Sequence, residues 1–150
     1  MTLQELENTL PNGLHDAEVR RISVDYGQQS LALDLDIWVG DMDDPPERRE
    51  AHKTGRLEIS GLVFLIFEPP VHNPRYPYRF DVKLTIDSVD GKKDVDPYLL
   101  ASVPRDAFCH SFFVFQWNSC IHFAAKHAEM IWLNDGQVTY RPRKELRAKS

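Results

Sequence analysis

The residues best suited to chemistry in this 150-residue chain are His15 and Asp16, which are adjacent. A histidine beside a carboxylate can bind a metal ion or work as an acid–base pair. Metal-dependent phosphohydrolases that use this dipeptide also need histidines and an aspartate on surrounding helices, and the sequence does not predict such helices. The pair is therefore a candidate pocket. The alternative is that Asp16 accepts backbone amides in a turn while His15 packs at a sheet edge.

Three further histidines lie in one aromatic segment of the chain: His110, His122 and His127. If the chain turns at Asn118, His110 lies opposite about Lys126, and His122 lies opposite about Val114. A shift of one residue would bring His110 and His127 together but leave His122 remote. Zinc needs three or four ligands held tetrahedrally, and neither C-x-x-C nor H-E-x-x-H occurs. We therefore predict core or edge histidines, with no metal and no cofactor.

The chain has neither the signature of a serine nucleophile nor that of a nucleotide-binding loop. The motifs G-x-S-x-G, G-x-G-x-x-G and the Walker loop are all absent. The two cysteines, Cys109 and Cys120, lie within apolar runs, where thiols are usually inert. We predict that both are free and mostly buried, because pairing around Asn118 would hold them too far apart for a disulfide. The sequence thus favours binding over catalysis.

Charged residues indicate a binding surface. The formal net charge of −5 argues against nucleic acids and anionic membranes, which bind basic faces. An aromatic residue flanked by carboxylates suits a basic protein partner. The predicted partner-binding residues are Asp34, Asp36, Trp38, Asp41, Asp43 and Asp44. The alternatives are a solvated loop, with Trp38 covered by the N-terminal helix or a loop, and a calcium site. The calcium site is disfavoured because the run lacks the glycine and closing glutamate of an EF-hand.

Apolar periodicity predicts strands almost throughout. Residues 30–39 alternate apolar and polar side chains, as in a strand with one buried face. Residues 108–117 are apolar on both faces, which is typical of a central strand, and residues 62–67 should lie beside the aromatic segment 108–133. A bulge is predicted near Arg20 and Arg21. The expected fold is all-β with two short helices, as an antiparallel β-sandwich or open barrel of about seven to nine strands.

The chain is predicted to form a single domain over residues 1–150. Thr2 and Glu5 have capping-box spacing, which favours a helix over residues 2–10. Residues 40–56 are expected to form an acidic mobile loop, and residues 141–150 a basic tail. Asn134-Asp135-Gly136 predicts a hairpin into residues 137–140, and Asp96 before Pro97 predicts a second short helix. No apolar run reaches the about 20 residues of a membrane span, and no secretory signal is evident, so a cytoplasmic location is expected.

The segment Leu14-His15-Asp16-Ala17-Glu18-Val19, followed by two strands joined by a short Gly-Gln turn, resembles the opening of several small bacterial families. These are β-rich proteins without established activity, and some are suspected immunity proteins of polymorphic toxin systems. The resemblance covers mainly residues 14–39. It implies a non-enzymatic binding protein and supplies no catalytic residue.

Three functional hypotheses follow from the sequence. The leading one is a cytoplasmic bacterial binding protein that neutralises a basic protein partner through the acidic segment. The alternative is a metal-dependent hydrolase or small-ligand binder centred on His15 and Asp16. The third is a structural subunit that forms a homodimer through an uncovered sheet edge.

Overall fold

The computed structural model describes residues 1–71, 83–92 and 94–141. In these residues the chain is mainly antiparallel β-structure, so the all-β prediction is confirmed. The helices are α1 (Leu3–Asn8), α2 (Pro46–Arg49) and α3 (Pro97–Ala101). The strands are β1 (Ala17–Asp25), β2 (Ser30–Trp38), β3 (Ala51–Ser60), β4 (Phe64–Phe67), β5 (Leu84–Val89), β6 (Phe108–Val114), β7 (Ser119–Ala125), β8 (His127–Trp132) and β9 (Thr139–Tyr140). None of the described helices is long and apolar enough to cross a membrane.

The strands form one sheet that curls back on itself. Its order is β4-β7-β6-β5-β1-β2-β3-β8, and β9 also pairs with β3. Lys126 alone separates β7 from β8 in the chain, yet these strands lie near opposite ends of the order. The sheet must therefore bend until its two halves approach each other. In the described residues β4 and β8 are not hydrogen-bonded to one another, so the sheet is open rather than a closed barrel.

The regular strands follow the apolar periodicity of the sequence. In β2 the side chains of Leu31, Leu33 and Leu35 are all buried, while the alternate residues Ala32 and Asp34 are partly exposed. Strand β1 pairs with β2 and has a register shift between its third and fifth residues, which confirms the predicted bulge. The strands β6 and β7 occupy inner positions of the sheet. Strand β4 pairs with β7, so it lies beside the aromatic segment 108–133 as predicted.

The hydrophobic core lies between the two halves of the curled sheet. Phe112 of β6 and Phe123 of β7 are fully buried, with ring centroids 5.4 Å apart. Helix α1 contributes Leu3 and Leu6 to the same core cluster. Its N-terminus is closed by the predicted capping box, in which Thr2 accepts from the Glu5 amide and Glu5 accepts from the Thr2 amide. The core thus joins both halves and one helix.

The loop predicted for residues 40–56 is shorter in the structure. Helix α2 lies within residues 40–56, and β3 already begins at Ala51. One face of β3 buries Ala51, Gly55, Leu57 and Ile59, but Lys53 on that face is partly exposed, and the charged residues hide the pattern in the sequence. The predicted tail beyond Arg141, and the beginning of the predicted strand at residues 80–82, lie outside the described residues.

The predicted hairpin at Asn134-Asp135-Gly136 is wrong. These residues form a 3-10 turn, and β9 beyond it pairs with β3 instead of β8. Strands β8 and β9 therefore lie one after the other along the same edge of β3, with residues 133–138 as an excursion between them. The chain does turn at these three residues, all of which have a positive φ. The turn motif does not determine, however, which strand the following residues pair with.

Candidate functional site

The predicted pair His15 and Asp16 lies on the surface at the start of β1. The His15 ring places Nε2 3.3 Å from Asp16 Oδ2 and Nδ1 3.2 Å from Asp87 Oδ2. The side chains of His15 and Asp16 are 54% and 59% exposed. Asp16 has a positive φ of 54°, a conformation that aspartate tolerates, and the chain enters β1 directly after it. Within the described residues, the group of three potential metal ligands does not include this pair.

Asp36 lies at the centre of an internal ion-pair network. Its carboxylate is only 2% exposed and accepts hydrogen bonds from Thr54 Oγ1 at 2.7 Å, Arg20 Nε at 2.8 Å and Arg141 Nη2 at 2.9 Å. Burial raises the pKa of Asp36, but these hydrogen bonds and the two guanidinium charges outweigh it, so the pKa is lowered. Arg141 also donates to Glu18 at 2.5 Å. Asp36 thus joins β1, β2, β3 and the residue that follows β9.

We expect Asp36→Asn to lower the free energy of unfolding by about 2 kcal/mol, because two charged donors lose their ionised acceptor. Urea unfolding at pH 7 measures the change. The loss should shrink as the pH falls through the lowered pKa of Asp36, since a depressed acid stabilises the fold only while it is ionised. The matched control is Asp34→Asn, which removes a more exposed pair and should cost less. An equal loss at every pH would contradict the ionic role of Asp36.

Two more of the predicted partner-binding residues are engaged within the protein. Asp34 accepts from Arg56 Nε at 2.8 Å, and the pair raises the pKa of the guanidinium. The Trp38 indole donates from Nε1 to the carbonyl of Arg49 at 2.6 Å. Trp38 therefore supports the loop that follows β2. The structure leaves Asp41 and Asp43 exposed and Asp44 partly exposed.

Residues 39–50, which we call the acidic loop, are held by specific contacts. Arg49 Nε donates to the carbonyl of Asp44 at 2.7 Å, and Asn12 Nδ2 donates to the carbonyl of Gly40 at 2.7 Å. A Cβ atom at Gly40 would lie 1.9 Å from the Arg49 carbonyl oxygen, so only glycine fits there. Met42, between Asp41 and Asp43, is 66% exposed. The loop therefore presents the apolar Met42 side chain between two carboxylates, on a backbone that side chains hold at Gly40, Asp44 and Arg49.

A cavity of about 480 Å³ lies between α1, β5 and the beginning of β6. Its lining includes Glu7, Ser88, Asp90, Cys109 and His110. Burial raises the pKa of Glu7, which accepts a hydrogen bond from the Ser88 hydroxyl. Burial also lowers the pKa of His110 to about 4, and its Nε2 has no hydrogen-bond partner in the described part of the chain. The volume lies in the range of small-ligand pockets, and the cavity does not include His15 or Asp16.

The pairing predicted for the histidines of β6 and β7 is wrong. Phe115–Trp117 forms a 3-10 turn, and Asn118 follows it with a φ of 47°. His110 therefore lies opposite Phe123 instead of Lys126, and His122 lies opposite Ser111 instead of Val114. Because the register differs by an odd number of residues, the cross-strand neighbours on each face change. The observed register thereby places Ser111 on the same face as His122.

The register places three potential metal ligands together: Glu68, Cys120 and His122. Cys120 and His122 are two residues apart on β7, so they project to the same face, and Glu68 directly follows the neighbouring strand β4. Burial raises the pKa of the Cys120 thiol, and the carboxylates of Glu68 and Asp94 raise it further. Both cysteines are free, as predicted, although each is partly exposed instead of mostly buried. Sequence analysis missed this group because the predicted proximity of residues 62–67 to the aromatic segment did not give the register that places Glu68 beside Cys120.

Comparison with family models, with curated proteins and with solved structures finds no match to the chain.

Proposed function

We propose that this chain is a cytoplasmic bacterial binding protein, without enzymatic activity, that recognises and neutralises a basic protein partner. The observation that carries the proposal is the acidic loop, where exposed Met42 lies between Asp41 and Asp43 on a backbone held by internal hydrogen bonds. The resemblance of residues 14–39 to immunity-like bacterial proteins also supports it. The proposed contact surface is smaller than the predicted one, because the side chains of Asp34, Asp36 and Trp38 bond to other residues of the same chain.

Preorganisation supports the binding function. The contacts of Trp38 and Asn12 fix the two ends of the acidic loop, so the loop loses little conformational freedom when a partner docks. A flexible methionine can adapt its packing to the surface that it meets. Carboxylates around it would steer a basic partner toward the loop and set its orientation. The net charge of −5 acts in the same direction at longer range.

Affinity capture of the tagged protein from its native lysate, followed by mass spectrometry at low and moderate salt, tests the proposal. We expect a basic partner that is lost as the salt concentration rises, because exposed charges are screened over about 8 Å at physiological ionic strength. Against the captured partner, the double charge reversal Asp41→Lys with Asp43→Lys should weaken binding at least about tenfold, or about 1.4 kcal/mol. Met42→Ala should weaken it as well.

The matched control is the double variant Asp106→Lys with Glu129→Lys. Both residues are exposed and lie outside the acidic loop, so the variant makes the same change in net charge elsewhere. Binding that falls equally in both double variants would indicate a general charge effect. Binding that is unchanged in the loop variant would rule out the acidic loop as the contact surface.

The hydrolase or small-ligand alternative centred on His15 and Asp16 has weaker support. Both side chains are more than half exposed, and neither lines the cavity beside Glu7 and His110. Homodimer formation through a sheet edge stays a prediction. Of the two strands at the ends of the sheet order, β4 has four residues and β8 has six.

A further inference from the structure

Glu68, Cys120 and His122 offer three different donor atoms to one point near the end of β4. One carboxylate oxygen, one thiol sulfur and one imidazole nitrogen all lie within 4.8 Å of one another. His122 is 3% exposed, while the other two residues are partly exposed. The group therefore has a buried side formed by the histidine and an open side toward solvent.

The His122 ring supplies a second observation that indicates a ligand. Its Nε2 atom is buried and makes no hydrogen bond within the described residues. Glu68 Oε2 lies 3.4 Å away, close enough for an ion pair but without hydrogen-bond geometry. Buried polar atoms are nearly always paired, because desolvation without a partner costs free energy. A cation between Nε2 and Oε2 would satisfy both atoms.

The distance between the nitrogen and oxygen donors matches the spacing of two ligands around a tetrahedral ion. Two nitrogen or oxygen donors about 2.0–2.2 Å from a tetrahedral zinc ion lie about 3.4 Å from each other. The Nε2 to Oε2 distance of 3.4 Å therefore has the required value already. The Cys120 sulfur lies within 4.8 Å of the other donors, so a shift of at most about 1 Å brings it to the spacing that a zinc–sulfur bond requires. Because Cys120 is partly exposed, its side chain has room to rotate toward the other two donors.

Surrounding hydrogen bonds hold the donors in place. Ser111 Oγ lies 2.5 Å from His122 Nδ1, and both residues are buried. With the ring hydrogen on Nδ1 and directed at Ser111, the lone pair of Nε2 is free for a metal, as is usual for metal-binding histidines. Glu68 Oε1 accepts from the backbone amide of Cys120 at 2.6 Å, which leaves Oε2 free. The Glu68 amide in turn donates to the Cys120 carbonyl at 3.0 Å.

We propose that Glu68, Cys120 and His122 form a binding site for a zinc ion, with the fourth coordination position open to water or to a further ligand. Mixed sulfur, nitrogen and oxygen donors suit zinc, whereas calcium and magnesium prefer oxygen alone. A thiolate and a carboxylate together balance the two positive charges of the ion, and Cys120 loses its proton when the ion binds. None of the three residues belongs to the acidic loop, so the site does not depend on the proposed binding function.

Zinc titration of the untagged, metal-depleted protein tests the site, with a chromophoric chelator as competitor. We expect one zinc ion per chain. Cys120→Ser and Glu68→Gln should each weaken binding more than tenfold, while Ser111→Ala, which removes the contact with Nδ1, should weaken it about tenfold. Cys109→Ser is the matched control, because it removes the other thiol and should leave zinc affinity unchanged.

A second measurement uses the unchanged chain and does not depend on the folding of any variant. Alkylation with iodoacetamide, followed by peptide mass spectrometry, reports each thiol separately. Saturating zinc should slow alkylation of Cys120 at least tenfold and leave Cys109 unaffected. Replacing zinc with cobalt should give the absorption of thiolate-to-cobalt charge transfer, and this band should be missing in Cys120→Ser.

Three results would overturn the site. They are the absence of stoichiometric zinc binding by the unchanged protein, equal protection of both thiols, and zinc affinity that survives Cys120→Ser. In each case His122 would be a histidine whose Nε2 faces the Glu68 carboxylate directly. The two proposals can fail separately. If zinc binds normally but the acidic-loop variant binds the partner as well as the unchanged protein does, the metal site stands and the proposed function is refuted.

Discussion

Replacing Phe123 by alanine is expected to lower the free energy of unfolding by about 4 kcal/mol, which is a large part of the stability of a domain of this size. The ring is fully buried and contacts three aromatic neighbours. Its centroid lies 5.4 Å from that of Phe112, 5.8 Å from that of His110 and 6.3 Å from that of Phe108. The cavity left behind cannot collapse easily, because neighbouring strands hold these rings at fixed spacing.

Urea unfolding followed by tryptophan fluorescence measures the loss, provided that the m-value of the variant stays that of the unchanged protein. Phe115→Ala is the matched control. Phe115 is 44% exposed and packs edge-on against Phe113 at 5.2 Å, so about 1 kcal/mol is expected. Similar losses for the two variants would mean that Phe123 does not lie at the centre of the core.

Acidification is expected to destabilise the protein by about 3 kcal/mol through His110 alone. Burial lowers the pKa of His110 from 6.5 to about 4, while the Asp90 charge acts in the opposite direction. Below pH 6.5 the unfolded chain therefore takes up a proton that the folded protein takes up only near pH 4. Protonation favours the unfolded chain across this interval, and the pKa difference corresponds to about 3 kcal/mol once both forms are protonated.

The test compares the unchanged protein with His110→Phe, which keeps an aromatic ring and removes the titration. The difference in unfolding free energy between them should be constant above pH 6.5 and move by about 3 kcal/mol in favour of the variant as the pH falls to 4. Glu7, which lines the same cavity, has a raised pKa and acts in the opposite direction, but it is present in both proteins.

A variant that does not titrate provides the control for this pH dependence. Phe108→Leu changes packing in the same ring cluster, and its effect on stability should be the same at every pH. A pH-independent difference between the unchanged protein and His110→Phe would show that His110 does not stay neutral in the folded state.

Strands with strict alternation could be predicted from the sequence, whereas the contacts between distant segments could not. The pattern of β2 identifies its buried face, because period two fixes which side chains point inward. The same pattern made Asp34 and Asp36 look available to a partner. The structure instead places Arg56 of β3 beside Asp34, and Arg20 of β1 and Arg141 beside Asp36. Which arginines lie beside these carboxylates depends on the order of the strands in the sheet, and the periodicity of a single strand does not predict that order.

The candidate metal site could not be predicted either, because it depends on the strand register that one turn sets. A turn at Asn118 was predicted, but the 3-10 conformation of Phe115–Trp117 changed the register by an odd number of residues. That change put Ser111 opposite His122. Glu68 then reaches the pair from β4, which precedes β7 by about fifty residues. A spacing rule for metal ligands within one segment could not have found this combination.

The order of the sheet also has a consequence for how the chain folds. The pairings β1–β2, β2–β3 and β6–β7 join neighbours in the chain, whereas β1–β5 and β3–β8 join residues about seventy positions apart, such as Ala17 with Ile86 and Ser60 with His127. Bringing such distant segments together costs chain entropy, and this cost precedes the stabilisation gained when their apolar side chains are buried. The two local units, β1–β2–β3 and β6–β7, are therefore expected to form first and dock later. Refolding should occur in milliseconds to seconds, as for other β-proteins rich in long-range contacts.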